Sequence, residues 1–124
     1  MIVRSLSEVK SVDWGNGVSR RFLVAGDGMG YTLTDTIVTA GSKSRLEYRN
    51  HLEACYCIEG EGEVVDMDGN SYPITPGTMY ALDKHDAHFL IAAPHTDLRL
   101  VCMFTPALRG DEVHSLDEAH SSAY

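Results

Sequence analysis

Glu53-Ala54-Cys55-Tyr56-Cys57-Ile58 is the stretch from which the fold can be read. Successive side chains of an extended strand face opposite ways, so Glu53, Cys55 and Cys57 share one face. Reduced thiols behave as small apolar groups, which makes that face the interior. A carboxylate pointing inward needs a metal, a hydrogen-bonding partner or a substrate. Taken alone, a glutamate on an edge strand facing water is the commoner arrangement. Outward from this stretch, further short strands are expected at Gly30–Thr39, Gly62–Met67, Ser71–Ile74, Thr78–Leu82, His88–Ala92 and Asp97–Phe104. Most of the eleven glycines and four prolines fall between them. Asp68-Gly69 tolerates positive φ and closes a tight hairpin, and Thr75-Pro76-Gly77 supplies the next turn. The pattern predicts an all-β fold, a sandwich or barrel with little helix. One short helix is expected at Ser5–Val12, where Ser5 caps and Glu8 follows three residues later.

At 124 residues the chain has the length of a single domain. Ten Lys plus Arg stand against eighteen Asp plus Glu, a net charge of -8, and no basic cluster exceeds Arg20-Arg21. Nucleic acid and anionic membrane surfaces are therefore not expected partners. No apolar run is long enough to span a bilayer and Met1–Arg4 is no secretory signal, so a cytoplasmic location is expected. Cys55, Cys57 and Cys102 make an odd count and are read as reduced thiols. Residues 1–124 are read as one domain, with 106–124 a tail that is either a solvated end or a flap over the barrel mouth. From Asp111 to Tyr124 that tail carries four acidic residues, two histidines and no Lys or Arg.

The same period-two reasoning puts Tyr80 and Leu82 on one face and His88, Leu90 and Ala92 on another. A closed fold is able to bring Tyr80, His88 and Glu53 together as a mixed N/O set suited to a divalent ion of the iron or zinc kind. The competing reading is a core tyrosine with its hydroxyl at the rim and a histidine in a polar loop.

Gly41, Glu53 and Gly60 fall on the first part of the two-part cupin signature, and Gly77 and His88 on the second. Glu47 and Arg49 stand where the first part carries histidines. A far closer resemblance covers almost the whole chain. It runs through Met1-Ile2-Val3, Ser19-Arg20-Arg21, Asp27-Gly28-Met29-Gly30 and Tyr48-Arg49-Asn50-His51-Leu52-Glu53-Ala54. It continues through Ile58-Glu59-Gly60-Glu61-Gly62, Pro76-Gly77-Thr78-Met79-Tyr80-Ala81-Leu82, His85-Asp86-Ala87-His88, Pro106-Ala107-Leu108 and Glu112-Val113-His114. In these blocks the chain resembles the ectoine synthases. The resemblance implies a single cupin-type, jelly-roll-like β-barrel, usually a homodimer. It further implies a hydro-lyase that closes N-γ-acetyl-L-2,4-diaminobutyrate to the osmoprotectant ectoine.

The resemblance also implies iron(II), with zinc as the alternative, held by Glu53, Tyr80 and His88. It places Arg21, Thr36, Tyr48, Cys102 and Phe104 against a small amino acid derivative, and Glu112 and His114 with Tyr48 in the chemistry. Periodicity alone reads Cys102 and Phe104 as core, and Glu112 and His114 as an exposed tail. Two positions depart from the family pattern. Arg45-Leu46-Glu47 replaces a His-x-His, and Gly17 replaces a tryptophan, with Trp14 three residues upstream. If Glu47 faces inward it adds a carboxylate near the metal; if outward, it makes a surface pair with Arg45. The alternative functions are a metal-dependent cupin acting on a related amino acid derivative, and a non-catalytic cupin that binds a small polar solute.

Overall fold

A computed structural model describes residues 1–112 and contains ten strands and one three-residue 3-10 turn, Ala25–Asp27. The strands are β1 (Lys10–Asp13), β2 (Gly17–Leu23), β3 (Thr32–Val38), β4 (Lys43–Leu46) and β5 (Leu52–Glu59). They continue as β6 (Gly62–Asp66), β7 (Ser71–Ile74), β8 (Met79–Leu82), β9 (His88–Ala92) and β10 (Leu98–Thr105). All seven expected strands are present, and β1, β2 and β4 are additional. A six-stranded sheet has the order β1-β2-β3-β10-β5-β8 and a four-stranded sheet the order β4-β9-β6-β7, with antiparallel pairing throughout. This is the all-β architecture expected from the sequence.

The alternation read from Glu53 holds along β5, where Glu53, Cys55 and Cys57 are buried. On β10, Leu98, Leu100, Cys102 and Phe104 turn inward. His88, Leu90 and Ala92 do so on β9, and Ser44 and Leu46 on β4. These inner faces merge into one core with Trp14, Val38, Tyr48 and Leu108. Burial of apolar area at roughly 25 cal/mol per Å² makes this shared face the main favourable contribution to folding. The three cysteines are buried and free, as expected of reduced thiols.

The helix expected at Ser5–Val12 does not form. Ser5 and Glu8 make a single turn instead, with the Glu8 amide donating to the Ser5 carbonyl at 3.0 Å and the Ser5 hydroxyl to Glu8 Oε1 at 2.9 Å. Lys10–Asp13 then extends and pairs with β2, in register Lys10 with Arg21 to Asp13 with Val18. Two helical turns would be marginal on their own, whereas pairing with β2 satisfies the same backbone groups along a sheet edge.

On the outer face Asp35 of β3 is clasped from both neighbouring strands. Its carboxylate accepts from Arg20 of β2 at 2.6 Å and from Arg99 of β10 at 2.7 Å. Desolvation works against ionisation there, but the bonds from Arg99 and Arg20 outweigh it and hold the carboxyl below the usual aspartate range.

After β10 the chain folds back against the barrel. The Leu108 amide donates to Thr32 Oγ1 at 2.7 Å, the Leu108 carbonyl accepts from the Ala25 amide at 2.6 Å, and the Leu108 side chain is fully buried. Glu112 is buried as well. As far as residue 112 the tail is docked; His114 lies outside the described residues.

Gly17 shows how the tryptophan departure is accommodated. Its φ is +149°, and a Cβ there would stand 1.9 Å from the Ile37 carbonyl oxygen and 3.2 Å from Trp14 Nε1. The absent side chain lets the buried Trp14 indole lie over this position and donate to the Ile37 carbonyl at 3.3 Å. Gly17→Ala should therefore cost about 1–3 kcal/mol, the scale of overpacking, and lower the thermal midpoint of a circular-dichroism melt. An unchanged midpoint would show that the backbone yields at no cost.

Candidate metal centre and active site

The antiparallel registers decide which inward side chains meet. Cys55 stands opposite Cys102 on one side and Tyr80 on the other, while Glu53 stands opposite Phe104 and Leu82. Tyr48, just beyond β4, packs edge-on against both Phe104 and His88, with ring centroids 5.6 and 5.9 Å away. Tyr80 meets His88 at 6.2 Å in the same manner. Glu53, Tyr48, Tyr80, Cys102, Phe104 and Thr36 all border one interior space, which Trp14 and Cys55 help to wall, while His88 borders a neighbouring cavity of about 500 Å³ that it shares with Tyr80. The interior space has a volume of about 20 Å³, room for roughly one water molecule.

Burial sets the electrostatics of this interior. The Glu53 carboxyl is pushed up from an ordinary 4.5 to about 8 by desolvation, against the opposing hydrogen bonds of Cys55, Tyr48 and Cys102. Desolvation also raises the Cys55 thiol and the Tyr80 phenol. His88 is shifted the other way, because burial disfavours the imidazolium. Its Nδ1 lies 2.9 Å from the Asp86 carbonyl oxygen, so Nδ1 carries the proton and Nε2 presents a lone pair. That Nε2 is buried without a hydrogen-bond partner.

These features fit a cation. A histidine that binds metal typically donates its other ring N–H to a carbonyl or carboxylate, as His88 does to Asp86. A buried carboxyl raised by desolvation gains most from a positive charge beside it. A second donor grouping is also present. The ligand atoms of Glu53, Cys55 and Cys102 lie within 4.8 Å of one another, and all three residues are buried. Nothing in the sequence pattern of one strand reveals this trio, because Cys102 joins it only through the β5–β10 register.

Arg21 and Glu112 meet one another instead of the Glu53 space. Arg21 Nη1 lies 3.7 Å from Glu112 Oε1, and Arg21 Nη2 also donates to the Glu112 carbonyl. The Glu112 carboxylate accepts from the Arg109 and Gly110 amides at 2.8 and 2.9 Å. Although desolvation opposes ionisation, those amide bonds hold this carboxyl below the usual glutamate range. Arg45 and Glu47 alternate with the inward Ser44, Leu46 and Tyr48 and so lie on the outer side. Glu47 Oε1 pairs with Arg45 at 3.5 Å and Arg49 at 3.4 Å, the outward alternative considered for this departure.

The ectoine synthase family model matches residues 1–123. An L-ectoine synthase of Desulfatibacillum aliphaticivorans is 49% identical over 97% of this chain and 96% of its own length. That of Oceanobacillus iheyensis is 48% identical over 94% of each chain. The crystal structure of ectoine synthase from P. lautus superposes with a TM-score of 0.84 at 48% identity, covering 89% of this chain and 81% of that one. A polyketide cyclase from Streptomyces resistomycificus, at 18% identity and a TM-score of 0.73, shares the fold alone; it covers 94% of this chain and 89% of its own.

The raised Glu53 carboxyl has a measurable consequence in chelator-treated protein. The folded state holds this proton to higher pH than the unfolded state, so the associated stability is full below 4.5 and is lost as pH rises through about 8. Glu53→Gln has no such proton to lose. Thermal melts should show the variant gaining on the parent between pH 4.5 and 8, a comparison in which the opposite trend from His88 cancels. A constant difference over that range would contradict burial of an ionisable Glu53.

Proposed function

Since the chain belongs to the ectoine synthase family, we propose that it closes N-γ-acetyl-L-2,4-diaminobutyrate to ectoine inside the barrel, at a metal held by Glu53, Tyr80 and His88. It is a hydro-lyase of the L-ectoine synthase type. The observation that supports the metal set is the buried, unpartnered Nε2 of His88, fixed as an acceptor by Asp86 and edge-on to Tyr80. When bound, a divalent ion, iron(II) in first place and zinc in second, supplies Lewis acidity toward the γ-acetamide oxygen.

Ring closure joins the α-amine nitrogen to the acetamide carbon and expels the carbonyl oxygen as water, leaving a cyclic amidine. The chain's own residues contribute position, dryness and proton traffic. Thr36, Cys102 and Phe104 shape the wall against which the flexible substrate folds. Fixing attack geometry in this way can supply up to roughly 7–11 kcal/mol of the barrier. The space beside Glu53 is small, about 20 Å³, and Tyr80 and His88 also border a cavity of about 500 Å³ through which the substrate can approach.

Tyr48, whose hydroxyl engages Glu53, holds a proton beside the reacting group. Arg21 supplies the positive charge for the substrate carboxylate. In the described arrangement Glu112 occupies Arg21, so substrate binding at Arg21 exchanges one carboxylate for another. That exchange would free Glu112 to accept the amine proton, a role that the family resemblance gives it together with His114.

The two departing residues, Arg45 and Glu47, face outward while Leu46 between them lines the interior, so the departure gives no support to a shifted substrate or a non-catalytic binder. A homodimer in the cytoplasm completes the reading. The outer face of the six-stranded sheet exposes Tyr56, Met79 and Met103 at 48%, 59% and 44%, a patch suited to a second copy. No helix among the described residues is long and apolar enough to cross a membrane.

Conversion of N-γ-acetyl-L-2,4-diaminobutyrate, followed by ectoine formation, is the decisive assay. Glu53→Ala, Tyr80→Ala and His88→Ala should each lower turnover by about 10²-fold or more, the scale of losing one preorganised electrostatic contact. Bound metal should fall in parallel while the far-ultraviolet circular dichroism is retained. Undiminished turnover and metal content in all three would overturn the assignment.

A further inference from the structure

We propose that the barrel contains a second, thiophilic metal site formed by Glu53, Cys55 and Cys102, which competes with the Glu53–Tyr80–His88 set for the Glu53 carboxylate. The proposal deepens the functional reading through this shared residue. Its basis is the donor geometry. One carboxylate and two sulfurs converge within 4.8 Å from adjacent strands, in residues that are all buried. A zinc-type ion takes sulfur at roughly 2.3 Å and carboxylate oxygen at roughly 2.0–2.2 Å. Tetrahedral donors therefore sit about 3.5–3.8 Å apart, and the trio needs to contract by only about 1 Å.

Cys55 and Cys102 are direct partners in the β5–β10 register, so no backbone rearrangement is required to bring the sulfurs to one ion. Both are free thiols. The third cysteine is not part of the group, since Cys57 turns its sulfur to the Glu59 carbonyl at 3.4 Å.

The two donor sets differ in chemical softness. Imidazole, phenol and carboxylate suit iron(II), whereas two thiolates with one carboxylate favour zinc, cadmium or copper(I). Binding at the sulfurs releases the two thiol protons to solvent and draws Glu53 toward the ion. Tyr80 and His88 then lose their carboxylate partner. An ion held at the sulfurs should accordingly inhibit the enzyme by capturing Glu53 from within the same barrel, whatever the same ion does at the Glu53–Tyr80–His88 set.

Cobalt(II) titrated into the metal-free full-length protein is the probe. A near-ultraviolet thiolate-to-cobalt charge-transfer band should appear in the parent and in His88→Ala, and should vanish in Cys55→Ser and in Cys102→Ser. Zinc added in excess should bleach it. X-ray absorption of the zinc-loaded parent, which needs no variant to fold, should show sulfur bonded to zinc. Cobalt binding without the band, failure to bind cobalt, persistence of the band in both serine variants, or zinc surrounded by nitrogen and oxygen alone would each overturn the site. Failure of the ectoine reading would look different: no product with any metal, and the sulfur band unaffected. His88→Ala separates the two sites directly, because it should abolish turnover while keeping the band.

Discussion

The Glu53 carboxyl is held between Phe104 and Leu82 in the interior of a β-barrel, and the rest of that interior answers to the cost of keeping it there. Removing a carboxylate from water is expensive unless donors or a cation replace the lost hydration. Tyr48, Cys55 and Cys102 provide donors, yet burial still prevails and the carboxyl is shifted up to about 8. The interior is correspondingly two-sided. Ser19 and Arg21 of β2 face Thr36 and Thr34 of β3 in register and form a polar wall. Leu46, Leu90 and Leu100 form the apolar remainder. Such an arrangement sets a buried carboxyl beside a polar wall, which a purely structural core avoids.

The same accounting explains the connection between the C-terminal segment and the barrel. Arg21 is a cation on an inward face, and the chain beyond β10 returns to give it Glu112. A buried charge thus recruits its counter-charge from far along the sequence. The contact ties the last described residues to the sheet that carries the polar wall, and Leu108 beneath it adds apolar burial. One buried contact thus fixes the course of the chain after β10.

Much of this arrangement is legible in the chain, and the illegible parts have specific physical causes. β10, and β5 as far as Ile58, follow inward–outward alternation, so period two by itself places Glu53 with Cys55 and Cys57 on one face. β2 carries no such signal, because Ser19 and Arg21 face inward while Val18 and Phe22 face outward, which inverts the usual polarity. β1 and β4 are four residues each, too short for a period to register. Ser5 and Glu8 have the capping chemistry expected of a helix, but sheet pairing claims the residues that follow. Cys102 and Phe104 are core by periodicity and cavity wall by family resemblance, and in the folded chain they are both at once. The Cys55–Cys102 opposition and the Trp14 indole above Gly17 depend on register and backbone path, which no local pattern encodes.

The position of β10 governs how the molecule must be made. It is the last strand among the described residues, yet it lies between β3 and β5 in the six-stranded sheet. Until residue 105 has left the ribosome, β3 and β5 each present an unpaired edge, and the larger sheet is split into two parts. The larger sheet therefore closes by insertion of a late strand between two waiting ones, a route dominated by non-local contacts and correspondingly slow. During that interval Glu53, Cys55 and Tyr80 are already synthesised but not enclosed. Enclosure of these side chains is thus the closing event of folding, and it waits on the strand that carries Cys102 and Phe104.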